Sequence, residues 1–305
     1  SSAQKRIYIL NHLNPEDTRY NEPIAMILHG HVDYNRVQVA FDQLIQRHEV
    51  LRTSYHLVGN NLMQKVHDIH RCPIFFSEAN EDEDESYQEY VQNCIEPFDL
   101  TVAPLFRVYL RRLAEEEHLL LIDMHHSITD GRSSEIMIND FLRLYEGIQL
   151  QNPIAQYKEY AYWHNSLLES TEMKRQEAFW FEALEGDIPV LGLPSRNDSY
   201  SWKSGQGITK IVVLSNEQSE ELKNFAVKSN TTVYNVFLAV LYVLLYNYTG
   251  QEDIWIGTPV SERHVPWMNQ IMGFIINSIV LRNFPKGNIR FQDFLSNVNR
   301  RVLDA

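Results

Sequence analysis

The stretch Leu119-Leu120-Leu121-Ile122-Asp123-Met124-His125-His126-Ser127-Ile128-Thr129-Asp130-Gly131 constrains the fold of this chain more than any other. Its first six residues are apolar apart from Asp123, which suits a buried strand, and the run stops abruptly at two imidazoles and an Asp-Gly breaker. Polar chemistry at the end of a buried strand is the outcome. A plainer assignment exists for each residue: His125 and His126 as core or surface histidines, Asp130 as the cap of a helix running from Ser133 to about Tyr145. The paired histidines, the carboxylate four residues after the second and the Gly directly after it favour a functional site together. Gly131 is expected to supply a backbone conformation or a close approach that other residues resist.

Around this stretch the apolar spacing predicts alternating helices and strands. Ala3, Ile7 and Leu10 share one helical face, a strand follows at about Ile24 to His29, and an Asp33 cap opens a helix with Val37, Phe41, Leu44 and His48 at helical spacing. Leu51 to Leu57 and Leu62 to His67 bracket Val58-Gly59-Asn60-Asn61 as a hairpin. Glu78 to Glu85 is an acidic, solvated loop leading into a helix from Ser86 to Ile95. Strands Leu105 to Arg112 and His118 to Met124 deliver the histidines, and the next helix turns Met137, Phe141, Leu144 and Ile148 inward.

At 305 residues the chain is too long for one ordinary core. Pro189, Gly192, Pro194, Gly205 and Gly207 crowd a segment without periodicity, which sets an N-terminal lobe over 1–188, a linker over 189–207 and a C-terminal lobe over 208–305. In the second lobe a strand is expected at Ile208 to Leu214, a capping box at Ser215-Asn216-Glu217-Gln218, a buried helix at Val233 to Tyr248, a strand at Asp253 to Gly257, and an amphipathic helix marked by Phe291, Phe294, Leu295, Val298 and Val302. A formal charge of −13 speaks against nucleic acid as a partner. Cys72 and Cys94 show no metal-type spacing, so no metal site and a reduced, cytoplasmic protein are expected. The most apolar stretch, Val236 to Leu245, is shorter than the roughly 20 residues that a membrane span needs.

His125-His126-Ser127-Ile128-Thr129-Asp130-Gly131 is the HHxxxDG pattern of the condensation domains of nonribosomal peptide synthetases, shared with chloramphenicol acetyltransferase. Four other segments resemble further core motifs of that family in the same order. Ser1 to Leu10 is similar to SxAQxRxYxL, Arg47 to Thr53 to RHExLRT, and Tyr157 to Trp163 to YxDxxxW with Glu159 in the Asp position. Gly273 to Arg282 is similar to GxFxNTxxxR with Ser278 replacing Thr.

This resemblance implies an α/β (α+β sandwich) fold of two chloramphenicol acetyltransferase-like lobes in a V, with the His motif at their junction. Sixth and seventh motifs, HQDxPF-like and RDxSRNP-like, do not occur in the sequence, so the second lobe is expected to be truncated. The implied activity is amide bond formation between a donor acyl or peptidyl thioester and an acceptor aminoacyl thioester. Both are tethered by phosphopantetheine to peptidyl carrier proteins, one upstream and one downstream, beside an adenylation domain; no cofactor is bound directly.

An attacking amine must be neutral, yet an α-amino group with a pKa of about 7.7–8.0 is largely protonated near pH 7. His126 is therefore assigned either as general base or as the group that holds the amine and stabilises its positive charge. His125 is expected to pack inward and support the loop, and backbone N–H groups near Gly131 to face the oxyanion. The resemblance implies that Asp130 is structural, with Arg282 as its partner, and that Asn277, Arg47 and Arg52 are structural support. The intact histidine pair argues against a heterocyclization domain, and the first two motifs against an epimerization domain. A non-catalytic docking domain on the same scaffold and a stand-alone acyltransferase using a free acceptor are the alternatives.

Overall fold

The computed structural model describes residues 1–79, 86–193 and 210–305. The chain divides into two compact units, Ser1–Lys174 with Ser261–Asn277, and Arg175–Val260 with Ser278–Ala305. The segment Ser261–Asn277 thus belongs to the first unit, although the composition break places all of 208–305 in the second lobe. Side-chain anchoring explains the difference, because Met268, Ile271, Met272 and Ile275 are buried in the first unit's core.

The first unit opens with α1 (Ser2–Leu13), capped by Ser1 and Gln4 in a reciprocal box. Its buried face is Ala3, Gln4, Ile7 and Asn11, while Leu10, expected inward, is 46% exposed. β1 (Asn21–His29) follows, then α2 (Tyr34–Arg47), whose Asp33 cap accepts from the N–H groups of Asn35 and Arg36. A 3-10 turn, Glu49–Arg52, leads into the hairpin of β2 (Thr53–Val58) and β3 (Asn61–Val66). Val58 pairs with Asn61, so the turn is Gly59-Asn60, with φ of +60° at Gly59.

β4 (Ile74–Glu78), α3 (Tyr87–Cys94), β5 (Phe106–Ala114) and β6 (Glu117–His125) come next, followed by α4 (Gly131–Tyr145) and α5 (Tyr157–Leu167). Ile148, expected inward on α4, lies past the helix end and is exposed. Most of the acidic run, 80–85, lies outside the described residues.

The main sheet has the order β1-β6-β5-β4, with β6 antiparallel to both neighbours and β4 parallel to β5. Strand β6 is central and buried on both faces, the physical reason for its unbroken apolar run. Pro23 is tolerated in β1 because that strand is an edge. On one face Val108, Leu110, Leu120, Ile122 and Met124 pack with Val37, Phe41 and Leu44 of α2 and Met137 and Phe141 of α4. The other face of β6 carries Leu119, Leu121, Asp123 and His125.

α6 (Thr171–Ala183) has no buried side chain, hence no apolar stripe to betray it in the sequence. In the second unit are α7 (Asn216–Lys228), α8 (Val233–Thr249), β7 (Ile254–Ser261), β8 (Ile276–Asn283) and α9 (Phe291–Asp304), with β7 beside β8. Residues 210–214 are not a strand, and Ile211, Val212 and Val213 are exposed. No described strand pairs with them, and a strand without a partner is not held. Helix α8 buries Val236, Leu238, Ala239 and Tyr242 but leaves Phe237, Val240 and Leu244 half exposed, so it is buried on one face rather than all round. Most of the inter-lobe linker, 194–207, lies outside the described residues. No single helix among the described residues is long and apolar enough to cross a membrane.

Phe41 is wholly buried and stacks on Phe141 at 4.8 Å between centroids, linking α2 to α4. Phe41→Ala is expected to cost about 3–5 kcal/mol in denaturant unfolding. Val39→Ala, on the exposed side of the same helix, is expected to stay within about 0.5 kcal/mol.

Candidate active site

His125 is the last residue of β6 and is fully buried. Its Nδ1 accepts from the Ser127 N–H at 3.2 Å, which places the ring proton on Nε2, a buried atom with no partner among the described residues. The edge of the Phe98 ring packs against it at 6.0 Å. Burial, aided by the charge of His126, pushes its pKa down to about 4. The ring is therefore neutral and enclosed beneath the loop.

His126 is the first residue past the strand. Its N–H donates to the Tyr20 carbonyl at 2.7 Å, fixing the backbone as the chain turns, and 24% of its side chain is exposed. Nδ1 lies 3.0 Å from the Thr129 carbonyl. A carbonyl oxygen only accepts, so Nδ1 carries the proton and Nε2 keeps the lone pair in the neutral ring. Phe274 packs edge-on against the ring at 4.8 Å, and the carboxylate Oε1 of Glu22 stands 3.7 Å from Nε2.

The loop is fixed from several directions. The Ser127 carbonyl accepts from Gln4 Nε2 at 2.9 Å and from the Tyr55 hydroxyl at 3.0 Å. Gln4 also donates to Tyr55 at 2.7 Å. The Tyr157 hydroxyl donates to the Phe274 carbonyl at 2.8 Å, with Ser1 Oγ 2.9 Å away. Gly273 has φ of +144°, and a Cβ there would lie 1.9 Å from Cδ2 of Tyr157, so this position needs a glycine. Segments far apart in sequence therefore meet at one loop.

Asp130 caps α4, accepting from the Ser133 N–H at 2.8 Å and the Ser133 hydroxyl at 2.7 Å. Its ionic partner is Arg263, whose Nη2 lies 2.9 Å from both carboxylate oxygens, and the Ile275 N–H adds a bond of 3.1 Å. Both side chains are almost wholly buried. Arg263 also donates from Nη1 to the carbonyls of Met268 and Ile271, and the Gly273 N–H donates to Ser133 Oγ.

The expected Asp130–Arg282 pair is thereby corrected. Arg282 pairs with Asp253 at 2.7 Å and donates to the Glu185 carbonyl, within the second unit. Strand β8 carries Arg282 in that unit, whereas the loop before it folds with the first. At Gly131 the expected special backbone is absent, since it has no left-handed conformation, and a Cβ there would meet no protein atom within 4 Å. Asn277 accepts from Arg6 at 2.9 Å. Arg47 bonds Asp140 at 2.8 Å, beside His48 Nε2 at 2.9 Å, and Arg52 donates to the His67 carbonyl at 2.8 Å. These arginines bind α2 to α4 and close the base of the hairpin, away from His126.

Ser133, Arg263 and Glu22 are the residues that the motif pattern alone does not single out. Arg263 stands in an aperiodic loop and carries no local signal. Glu22 does carry one, because Ile24, Met26 and Leu28 alternate toward the core and a carboxylate occupies the next inward position.

The condensation-domain family model matches residues 1–305. The chain belongs to the condensation-domain family. It is 41% identical over its whole length to part of tyrocidine synthase 3 of Brevibacillus parabrevis and 37% identical to part of bacitracin synthase 2 of Bacillus licheniformis, spanning 5% and 12% of those proteins. Among solved structures, the condensation domain of the Monacolin K polyketide synthase superposes with a TM-score of 0.89 at 25% identity, covering 99% of this chain and 71% of that one. The X-domain from teicoplanin biosynthesis, at 21% identity, shares the fold with a TM-score of 0.86, covering 99% of this chain and 68% of that one. The chain thus has a mixed α/β fold of the family type, and its sequence relatives include parts of nonribosomal peptide synthetases, whose condensation domains in general form peptide bonds.

Two expectations follow for this site. Arg263→Ala leaves a buried carboxylate unpaired and is expected to cost about 3–5 kcal/mol. Arg282→Ala, at a partly exposed pair, is expected to cost less than about 1 kcal/mol; chemical denaturation of both variants checks the ordering.

The second concerns Asp123, which is buried on β6 with Asn21 Nδ2 at 2.8 Å and Arg107 at 3.4 Å. Burial pushes its pKa up to about 6, against the pull of Asn21 and Arg107. The native state therefore binds more protons than the unfolded chain between about pH 4 and pH 6, and stability falls as pH rises through that window. Asp123→Asn is expected to stabilise the domain by about 1–3 kcal/mol at pH 7 and hardly at all at pH 4, read from denaturant midpoints at the two pH values.

Proposed function

We propose that this condensation domain joins a donor acyl or peptidyl thioester to an acceptor aminoacyl thioester, each delivered on the phosphopantetheine arm of a carrier protein in the same assembly line. The observation that carries this is the orientation of His126. With Nδ1 bound to the Thr129 carbonyl, Nε2 keeps the lone pair, on a side chain that is 24% exposed. A neutral imidazole held that way can accept a proton from an incoming ammonium or hold the amine as charge develops on it.

The amine nitrogen attacks the thioester carbonyl carbon, the C–N bond forms, the C–S bond breaks, and the thiolate leaves and takes up a proton. At the start of α4 the N–H groups of Gly131 and Arg132 have no acceptor within the helix, so they are the donors assigned to the developing oxyanion. Open space over Gly131 is consistent with a substrate passing there. Asp130 is assigned to hold the loop and the start of α4, with Arg263 as its counter-ion. The intact histidine pair speaks for catalysis over a purely docking role on this scaffold.

His126→Ala is expected to leave the denaturation midpoint close to wild type and to slow single-turnover transfer between loaded carriers by about 10²–10⁴-fold. Intact-mass analysis of the acceptor carrier reads the product. Transfer at the wild-type rate would remove His126 from the mechanism and leave docking as the better reading.

A further inference from the structure

Glu22 is the group that motif and fold leave unexplained. It lies on β1, paired with Met124 of β6, so His126, two residues beyond Met124, is its diagonal neighbour across the strands on the same face. Inward positions of β1 are otherwise apolar: Ile24, Met26 and Leu28 pack against the core. At the end next to His126 the alternation is broken by a carboxylate, and local rules tend to be broken where function requires it.

The start of β1 is also firmly held. Asn21 Nδ2 donates to Asp123 at 2.8 Å and to the Glu96 carbonyl at 2.9 Å, and the Tyr20 carbonyl accepts from the His126 N–H. Glu22 directly follows these two anchored residues and is itself in register with Met124 of β6.

The chemistry of the pair is unusual. Nδ1 of His126 is committed to Thr129, so Nε2 faces Glu22 as a lone pair 3.7 Å from a carboxylate oxygen. Two acceptors facing one another gain nothing directly, and what satisfies both is a cation with several N–H donors. Glu22 has no other ion pair among the described residues and is half exposed, which leaves its carboxylate open to a ligand.

We propose that Glu22 and His126 together form the binding site for the ammonium form of the acceptor's amino group. This rests on the assignment of His126 above and adds a residue that contacts the substrate. The ammonium donates one N–H to Glu22 and one to Nε2 of His126. One proton then passes to His126, leaving a neutral amine still bonded to the carboxylate. Of the three original N–H protons, one stays on the amide, one goes by way of His126 to solvent, and one reaches the departing thiolate, so the step balances without a further reactant. Glu22 orients the nitrogen and stabilises the positive charge during attack.

The test is a binding measurement on the whole chain with a non-hydrolysable aminoacyl-pantetheine amide and its analogue lacking the amino group. By titration calorimetry, wild type is expected to prefer the amine-bearing ligand by about tenfold, the size expected for one charge-assisted hydrogen bond. Glu22→Gln is expected to lose that preference while binding the analogue lacking the amine as wild type does. Glu22→Asp should restore part of it. In transfer assays the Gln variant should raise KM for the aminoacyl acceptor and leave KM for the donor unchanged. An aminooxy acceptor, uncharged at neutral pH, should be used almost equally by both forms. If the Gln variant keeps the wild-type preference, Glu22 has no part in amine recognition. Because binding is read without turnover, loss of preference in a chain that fails to condense would still support the Glu22 site while overturning the catalytic assignment.

Discussion

The ion pair between Asp130 and Arg263 is the interaction on which the candidate site depends. A carboxylate at the first turn of α4 is stabilised by the helix N-terminus, but a buried one also needs a counter-ion, since removing two charges from water costs several kcal/mol each unless hydrogen bonds complete the site. Here they are complete on the carboxylate: Ser133, Ile275 and both contacts to Arg263 converge on it. The pair ties the loop after the histidines to the segment Ser261–Asn277. That segment in turn supplies Phe274, which packs on His126, and Gly273, on which the Tyr157 ring lies.

From that anchor the two histidines take different fates, although they are adjacent and chemically identical. His125 ends a buried strand, so its ring is enclosed and neutral and, among the described residues, hydrogen-bonded only through Nδ1. His126 sits where the chain leaves the sheet, and the Thr129 carbonyl decides its tautomer. Backbone geometry sets the difference: one imidazole is enclosed under the loop, the other is partly exposed with Nε2 as its lone-pair nitrogen.

Other polar residues hold the elements around the site together. Gln4 and Tyr55 hold the Ser127 carbonyl, Arg47 and His48 share Asp140, and Arg52 closes the hairpin onto its own base. Each is a buried or half-buried polar contact between elements separated by many residues, which is where directional bonds add specificity that apolar packing lacks. Asp123 is the exception in sign, a buried carboxylate whose burial outweighs the pull of its partners.

The sequence by itself determined the alternation of helices and strands, the central buried strand, the helix after it and both major caps at Asp33 and Ser215, because periodicity and capping are local properties of neighbouring residues, while its motifs carried the resemblance that implied the α/β class and the inward packing of His125. It also pointed to His126 through the spacing of the motif. Only the tertiary structure decided which arginine neutralises Asp130, which nitrogen of His126 is free, that Gly273 rather than Gly131 is the glycine required by a close approach, and that Glu22 faces the histidine. The ion pair and the glycine contact join residues more than a hundred positions apart, Glu22 meets the histidine across neighbouring strands, and the free nitrogen of His126 follows from the way its loop folds back to the Thr129 carbonyl. No pattern along a single chain encodes which of several arginines will be there, since Arg263 and Arg282 stand nineteen residues apart and differ only in the unit into which their backbone folds.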